Sequence, residues 1–312
     1  MIMHQTFDYT GVIPILPTPF HDDERLDLDS LARIIAFNAK VGVDGVTVLG
    51  LLGESNRLTD DERAQVVRAA VDAAGKMPVI VGTSHTGTTA TIRLSEQAIE
   101  LGAAALMITP SAQPVASDRS VFEYFERVGR ACDSPIVLQD HPAISQVHMS
   151  VDLMLRMVRE LPQIAAIKGE AVPSPAKIGA LKKGMQGGRS VPVLTGLGGL
   201  YGLFDLERGS DGFNTGFAFP EVLIAILRAF KAGDLDGARA VYTRYLPLLV
   251  YEQQPGVAIR KEILRRRGLL QSNRVRHPGA TIDATAAAQL ERLLHATFAG
   301  VPIDAQLMVT AG

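Results

Sequence analysis

One lysine carries the strongest chemical signal in this chain. Lys168 closes the apolar run Ile164-Ala165-Ala166-Ile167 and is followed at once by Gly169-Glu170. Such a run ahead of a lone cation reads as a buried strand that delivers an amine to its C-terminal end. Desolvation at such a position disfavours an ammonium ion and leaves a nucleophile that condenses with a substrate carbonyl as a Schiff base. A strand-end lysine pointing into water fits the position equally well, since most lysines are exposed. The surrounding residues and elements decide between the two.

Other turns gather polar groups. His85 lies in Gly82-Thr83-Ser84-His85-Thr86-Gly87; an imidazole titrates at about 6.5 and moves protons in both directions near neutrality, unless the loop merely holds it by a hydrogen bond. His141 stands between Asp140 and Pro142. Adjacent side chains on an extended chain point apart, so Asp140-His141 reads as a turn with one structural member rather than a catalytic pair. Gly196-Leu197-Gly198-Gly199 would let backbone amides approach an anion, and a tight strand-to-helix turn explains the same glycines; the run is no dinucleotide fingerprint. Glu54, after Gly53, is either a base or the residue that ties down its turn, and Asp205, Glu207 and Asp211 read as a solvated helix end. No His-Glu-x-x-His or paired-cysteine spacing appears, so no metal or other cofactor is implied.

The elements that must position these groups recur with a regular beat. Short apolar, β-branched runs at 11–17, 43–49, 78–82, 104–109, 135–139, 164–168, 191–195 and 211–216 each read as a fully buried strand. Between them lie amphipathic stretches with helix-start signals: Asp27-Leu28-Asp29-Ser30, the capping box Thr59-Asp60-Asp61-Glu62, and Ser150-Val151-Asp152. Eightfold alternation of strand and helix predicts a (β/α)8 TIM barrel over residues 1–232. The alternation then stops, and 235–251, 257–267 and 284–297 predict a C-terminal helical extension over 233–312, with Lys231-Ala232-Gly233-Asp234 as the hinge. In such barrels the chemistry sits after the strands at the C-terminal face. The residues selected by that rule are Gly50 to Ser55, Thr83-Ser84-His85, Gln139 to Pro142, Lys168, Gly196 to Gly199 and Asn214-Thr215-Gly216. So many polar groups at strand ends point to an enzyme.

Composition narrows the partners. The chain has 312 residues, 47% hydrophobic and 21% charged, which is ordinary for a globular protein with a sizeable core. A net charge of -2 gives no electrostatic footprint for nucleic acid or an anionic membrane, so small neutral or anionic metabolites are the expected partners. One cysteine, Cys132, cannot form an internal disulfide and reads as a small core filler. The first residues lack the pattern of a secretory leader and no apolar run has the length of a membrane span, so the cytoplasm is expected. Arg265-Arg266-Arg267 reads as a solvated face or an oligomer contact.

Several motifs together resemble the dihydrodipicolinate synthase and N-acetylneuraminate lyase superfamily, and the likeness runs over nearly the whole chain. They are Gly11-Val12-Ile13-Pro14 to Thr18-Pro19-Phe20, the turn Gly50-Leu51-Leu52-Gly53-Glu54, the helix start Leu58-Thr59-Asp60-Asp61-Glu62-Arg63, Pro142 after strand five, and Ile167-Lys168. The resemblance implies a (β/α)8 lyase with a C-terminal helical extension, assembled as a homotetramer, that binds pyruvate or another 2-oxo acid as a Schiff base on Lys168. Its Gly-Thr-Thr-Gly-Glu carboxylate-binding turn carries onto residues 50–54.

The departures are equally informative. Both threonines of that turn are leucines here, which leaves backbone N–H groups and the nearby Ser55 as donors. The Tyr-Asn-x-Pro expected after strand five becomes Gln139-Asp140-His141-Pro142, which removes a proton-relaying tyrosine; an amide binds but neither gives nor takes a proton near neutrality. His85 is the natural replacement. The arginine that in the synthases grips a second carboxylate is absent from Pro142-Ala143-Ile144-Ser145, and a tyrosine expected after strand four is absent from Pro110-Ser111-Ala112-Gln113. The Gln-Asp-x-Pro, the histidine after strand three, the short segment from Gly212 to Pro220 and Tyr245-Leu246-Pro247-Leu248 instead resemble the 2-keto-3-deoxy-sugar-acid dehydratases, especially the L-2-keto-3-deoxyarabonate type.

The expected site therefore has Lys168, His85 and Gln139 at the chemistry, with Gly50, Leu51, Leu52, Ser55, Ser84, Asp140, Gly196, Asn214 and Thr215 around the substrate. A pyruvate-dependent aldolase or a dihydrodipicolinate synthase-like condensation is the alternative activity, and a barrel that binds 2-oxo acids without turning them over is the alternative class.

Overall fold

The computed structural model describes residues 7–111, 117–253, 256–299, 301–304 and 306–309. Eight parallel strands form one sheet: β1 (Gly11–Val12), β2 (Val46–Val48), β3 (Val79–Gly82), β4 (Ala105–Ile108), β5 (Ile136–Asp140), β6 (Ile164–Gly169), β7 (Val193–Thr195) and β8 (Gly212–Phe213). The sheet runs β1-β8-β7-β6-β5-β4-β3-β2. A parallel bridge between Ile15 and Thr47 closes the circle. There Leu16 N donates to the Thr47 carbonyl and Thr47 N to that of Pro14, each at 2.8 Å. The chain is thus a (β/α)8 barrel with a helical C-terminal part. The first run yields only two ladder residues, because Pro14 and Pro17 have no N–H to donate.

Side chains alternate across each strand, and that period places the site. Ile13, Ile15, Ile80, Met107, Val137, Ala166 and Leu194 fill the barrel interior. Ile136, Leu138, Ile167 and Val193 point outward into the larger core under the helices. Two residues beyond Val137 and Ala166, the next inward positions are Gln139 and Lys168, paired in register across β5 and β6. The buried lysine is therefore the cap of an apolar stack and faces the barrel axis.

The helices start where local chemistry dictates. Asp27 and Ser150 accept N-terminal amide bonds at the helices Leu28–Val41 and Val151–Glu160, and Thr59 with Glu62 forms a capping box ahead of Asp60–Ala74. In the C-terminal part, helices Leu235–Tyr251, Val257–Arg266 and Ala284–Phe298 share one apolar core with the barrel, including a ring contact of Phe298 on Phe219 at 4.9 Å. Two readings of the charged residues are corrected here. Arg267 is no solvated group: it is buried, with Nη2 2.6 Å from Glu221 Oε1 and Nη1 donating to the Ala218 carbonyl. Asp205 is buried as well; it accepts from Ser174 Oγ at 2.9 Å, and burial pushes its pKa up to about 6. Among the described residues no helix is long and apolar enough to cross a membrane.

Candidate active site

Lys168 is 4% exposed at the end of β6, and its Nζ lies 3.2 Å from Oε2 of Glu170. Gln139 Nε2 donates to the same oxygen at 2.7 Å, and Leu197 N donates to Oε1 at 3.1 Å. Burial alone would raise the Glu170 pKa, but the Lys168 and His141 charges and these hydrogen bonds hold it below the usual carboxylate value. An ionised carboxylate is therefore fixed against the amine. Gly196 makes room for it, since a Cβ there would stand 2.1 Å from Glu170 Cγ. At Gly196, expected as a substrate contact, the missing side chain admits Glu170. Reading the sequence passed over Glu170, although an acid two residues beyond a strand-end lysine projects to the same face.

Lys168 opens into a cavity of about 450 Å³ whose wall includes Gln139, Glu170, His141, Leu51, Leu52 and Thr215. Strand alternation separates the neighbours Asp140 and His141 as expected, with an unexpected assignment of the two. Asp140 turns outward to the helix Ser174–Gly184, where its Oδ2 lies 2.6 Å from Lys177 Nζ. It is not a substrate contact, and burial pushes its carboxyl up against the pull of Lys177. His141 turns inward; burial lowers its pKa, opposed by the Glu170 charge, and its Nδ1 finds no hydrogen-bond partner among the described residues.

His85 stands elsewhere. It is exposed, and its Nδ1 accepts from Gly87 N at 3.0 Å. With Gly50, Ser55 and Ser84 it lines an adjoining cavity of about 330 Å³ that shares Leu51 and Gln139 with the first. Ser84 Oγ is already engaged by Thr109 N at 2.9 Å. His85, for which a proton-carrying role is expected, thus lines the adjoining cavity, not the one into which Lys168 opens. His85→Asn should keep kcat within a few-fold of wild type while His141→Asn lowers it; the reverse order in steady-state assays would return the role to His85.

The turn after β2 is a short 3-10 helix, Leu51–Gly53, followed by Glu54 in the left-handed region at φ 53°. Glu54 is a tie: it pairs with Lys261 and with Arg57 at 2.7 Å, and accepts from Arg276 N at 3.0 Å. These bonds fasten the turn to the C-terminal part of the chain. Asn214 is corrected from substrate contact to strut, its Nδ2 donating to the Ile13 carbonyl at 2.9 Å and lying 3.0 Å from Thr47 Oγ1. Thr215 does face the cavity, where its Oγ1 accepts from Gly198 N at 2.6 Å. Ala112 and Gln113 of the segment after β4 lie outside the described residues.

Comparison with known proteins follows the same lines. The model of the dihydrodipicolinate synthetase family matches residues 8–297. The chain is 35% identical over 296 residues to the L-2-keto-3-deoxyarabonate dehydratase of Azospirillum brasilense, covering 93% of this chain and 95% of that one. It superposes on the dihydrodipicolinate synthase of Rhodopseudomonas palustris with a TM-score of 0.89 at 37% identity, covering 93% of this chain and 100% of the other. YagE of Escherichia coli K12, a prophage protein of the dihydrodipicolinic acid synthase family solved in complex with pyruvate, superposes with a TM-score of 0.85 at 29% identity, covering 93% and 98% of the two chains.

Proposed function

The chain belongs to the dihydrodipicolinate synthetase family and is a lyase, and on that premise we propose that it dehydrates a 2-keto-3-deoxy sugar acid through an imine on Lys168. Lys168 Nζ adds to the substrate's C2 carbonyl, whose oxygen leaves as water. The iminium makes the C3 protons acidic, because the electron pair left on carbon delocalises onto nitrogen. Glu170 or His141 takes the proton, the hydroxyl on C4 leaves as water with a proton returned by the same pair, and hydrolysis frees Lys168 at the cost of one water. The net change is loss of one water from the substrate.

The observation that carries dehydration over condensation is the cavity wall after β5. Ile144 stands there, on the segment where resemblance to the synthases implies a guanidinium for a second carboxylate. A condensation with a second, charged substrate would leave that carboxylate without its partner, and a charged hydrogen bond contributes about 1.5 to 3 kcal/mol. Dehydration needs one substrate, whose hydroxyls match the Gln139 amide and the Thr215 hydroxyl. Purified protein should release water from a 2-keto-3-deoxypentonate or hexonate and form dihydrodipicolinate from pyruvate and aspartate semialdehyde slowly or not at all. Fast condensation with no dehydration of any acid in the panel would reject the assignment, and cleavage of the same acids to pyruvate would replace it with an aldolase.

A further inference from the structure

We propose that Arg260, from the C-terminal helix Val257–Arg266, binds the carboxylate of the 2-oxo acid and so makes the helical extension part of the substrate site. The proposal rests on the imine reading above and adds a residue that nothing in the strand-end pattern indicated. Arg260 is 3% exposed, and only part of its guanidinium is used within the chain: Nε donates to Glu252 Oε2 at 3.0 Å. Glu252 is itself buried and held by Ala218 N, which donates to Oε1 at 3.1 Å. This pair aims the guanidinium and leaves its other edge over. Nη1 is buried and finds no hydrogen-bond partner among the described residues. Buried N–H groups of a guanidinium are seldom left unpaired, and one that is unpaired beside a cavity marks a place for an acceptor.

The position of that nitrogen is marked by Gly216 and Leu52. A Cβ added to Gly216 would meet Leu52 Cδ1 at 2.7 Å and Arg260 Nη1 at 2.8 Å, so the leucine of the β2 turn and the free guanidinium nitrogen flank one point just beyond β8. Leu52, Thr215 and Arg260 line the same cavity as Lys168. A 2-oxo acid joined to Lys168 through C2 carries its carboxylate one bond away, on the next carbon. The turn at Leu51-Leu52 offers that carboxylate backbone N–H groups and no side-chain donor. A buried carboxylate needs a charged or multiply donating partner. Arg260 supplies the charge, with a planar fork suited to carboxylate geometry. Glu252 keeps that charge balanced while the site is empty.

The test is borohydride trapping at Lys168, read by intact mass, titrated with pyruvate and in parallel with hydroxyacetone, a neutral ketone that forms an imine but has no carboxylate. In Arg260→Gln the half-saturating pyruvate concentration should rise about 10- to 100-fold, the weight of one charge-assisted hydrogen bond, while that of hydroxyacetone stays at the wild-type value. Arg260→Lys keeps a single nitrogen for Glu252 and should show the same selective rise with melting temperature retained, which carries the test if the glutamine variant fails to fold. Unchanged pyruvate saturation in a folded variant, or equal losses for pyruvate and hydroxyacetone, would overturn the role of Arg260 and leave the imine standing. A wild-type protein that gives no adduct at Lys168 would reject the imine reading and this proposal with it.

Discussion

Lys168→Ala should abolish turnover, with kcat falling on the order of 10⁴-fold or more, because among the described residues no other lysine lines the cavity to form the covalent intermediate. The variant should still fold, since Lys168 caps the interior stack instead of filling it, but it should be less stable at neutral pH. In the wild type the Lys168 charge opposes the burial of Glu170 and helps hold its pKa down. A carboxyl with a depressed folded-state pKa contributes stability above its unfolded pKa and loses it as pH falls. Without the amine, burial dominates and the Glu170 pKa rises, so the carboxylate then costs stability as pH rises through that value. Breaking a buried pair by removing one member costs about 3 to 5 kcal/mol. Thermal melts of the two proteins should therefore be far apart at pH 7 and converge toward pH 4. Equal stability at both pH values would show that Glu170 is not held as an ion by Lys168.

Glu170→Gln should lower kcat by about 10²- to 10⁴-fold, the usual weight of a general acid or base. The amide is close in shape to the carboxylate: its single oxygen can still accept from Leu197 N, and its NH2 can donate to the oxygen of a Gln139 amide turned over by 180°, so the geometry around Lys168 should persist and borohydride should still trap pyruvate. What is lost is the ability to take and return a proton 3.2 Å from the reacting nitrogen. In the wild type the acid limb of the rate profile should fall as pH drops through the depressed Glu170 pKa, and the glutamine variant should lack that limb. Full activity in Glu170→Gln would move the proton transfers to His141 or to the substrate's own hydroxyls.

Much of the barrel was legible because its signals are local. Each of the eight apolar runs is a strand of the barrel, and Asp27, Thr59 and Ser150 cap helices where their types and spacing predict. Lys168 could be placed on the inner face because a buried strand ends there, and the apolar stack through Ala166 confirms its direction. The site's other members were harder to read. Once Gln139 is known to point inward, the period of two sends His141 inward and Asp140 out to Lys177, but the sequence does not say which of the two starts the count. Glu170 lies beyond the apolar run, where strand and turn look alike, and its inward course depends on space left by Gly196, 26 residues later. Arg260 belongs to a helix outside the repeat, and only the docking of that helix on the barrel brings its side chain to the cavity. His85 was the opposite case: a plausible residue type at a plausible strand end, carried by its loop to the neighbouring cavity.

The most direct test of dehydration through Lys168 is to quench turnover of L-2-keto-3-deoxyarabonate with borohydride and map the modified peptide by mass. The account predicts one adduct, on the peptide that contains Lys168, with a mass corresponding to the reduced imine of the substrate or of the substrate less one water. Turnover that continues with no adduct, or an adduct on another lysine, would contradict it.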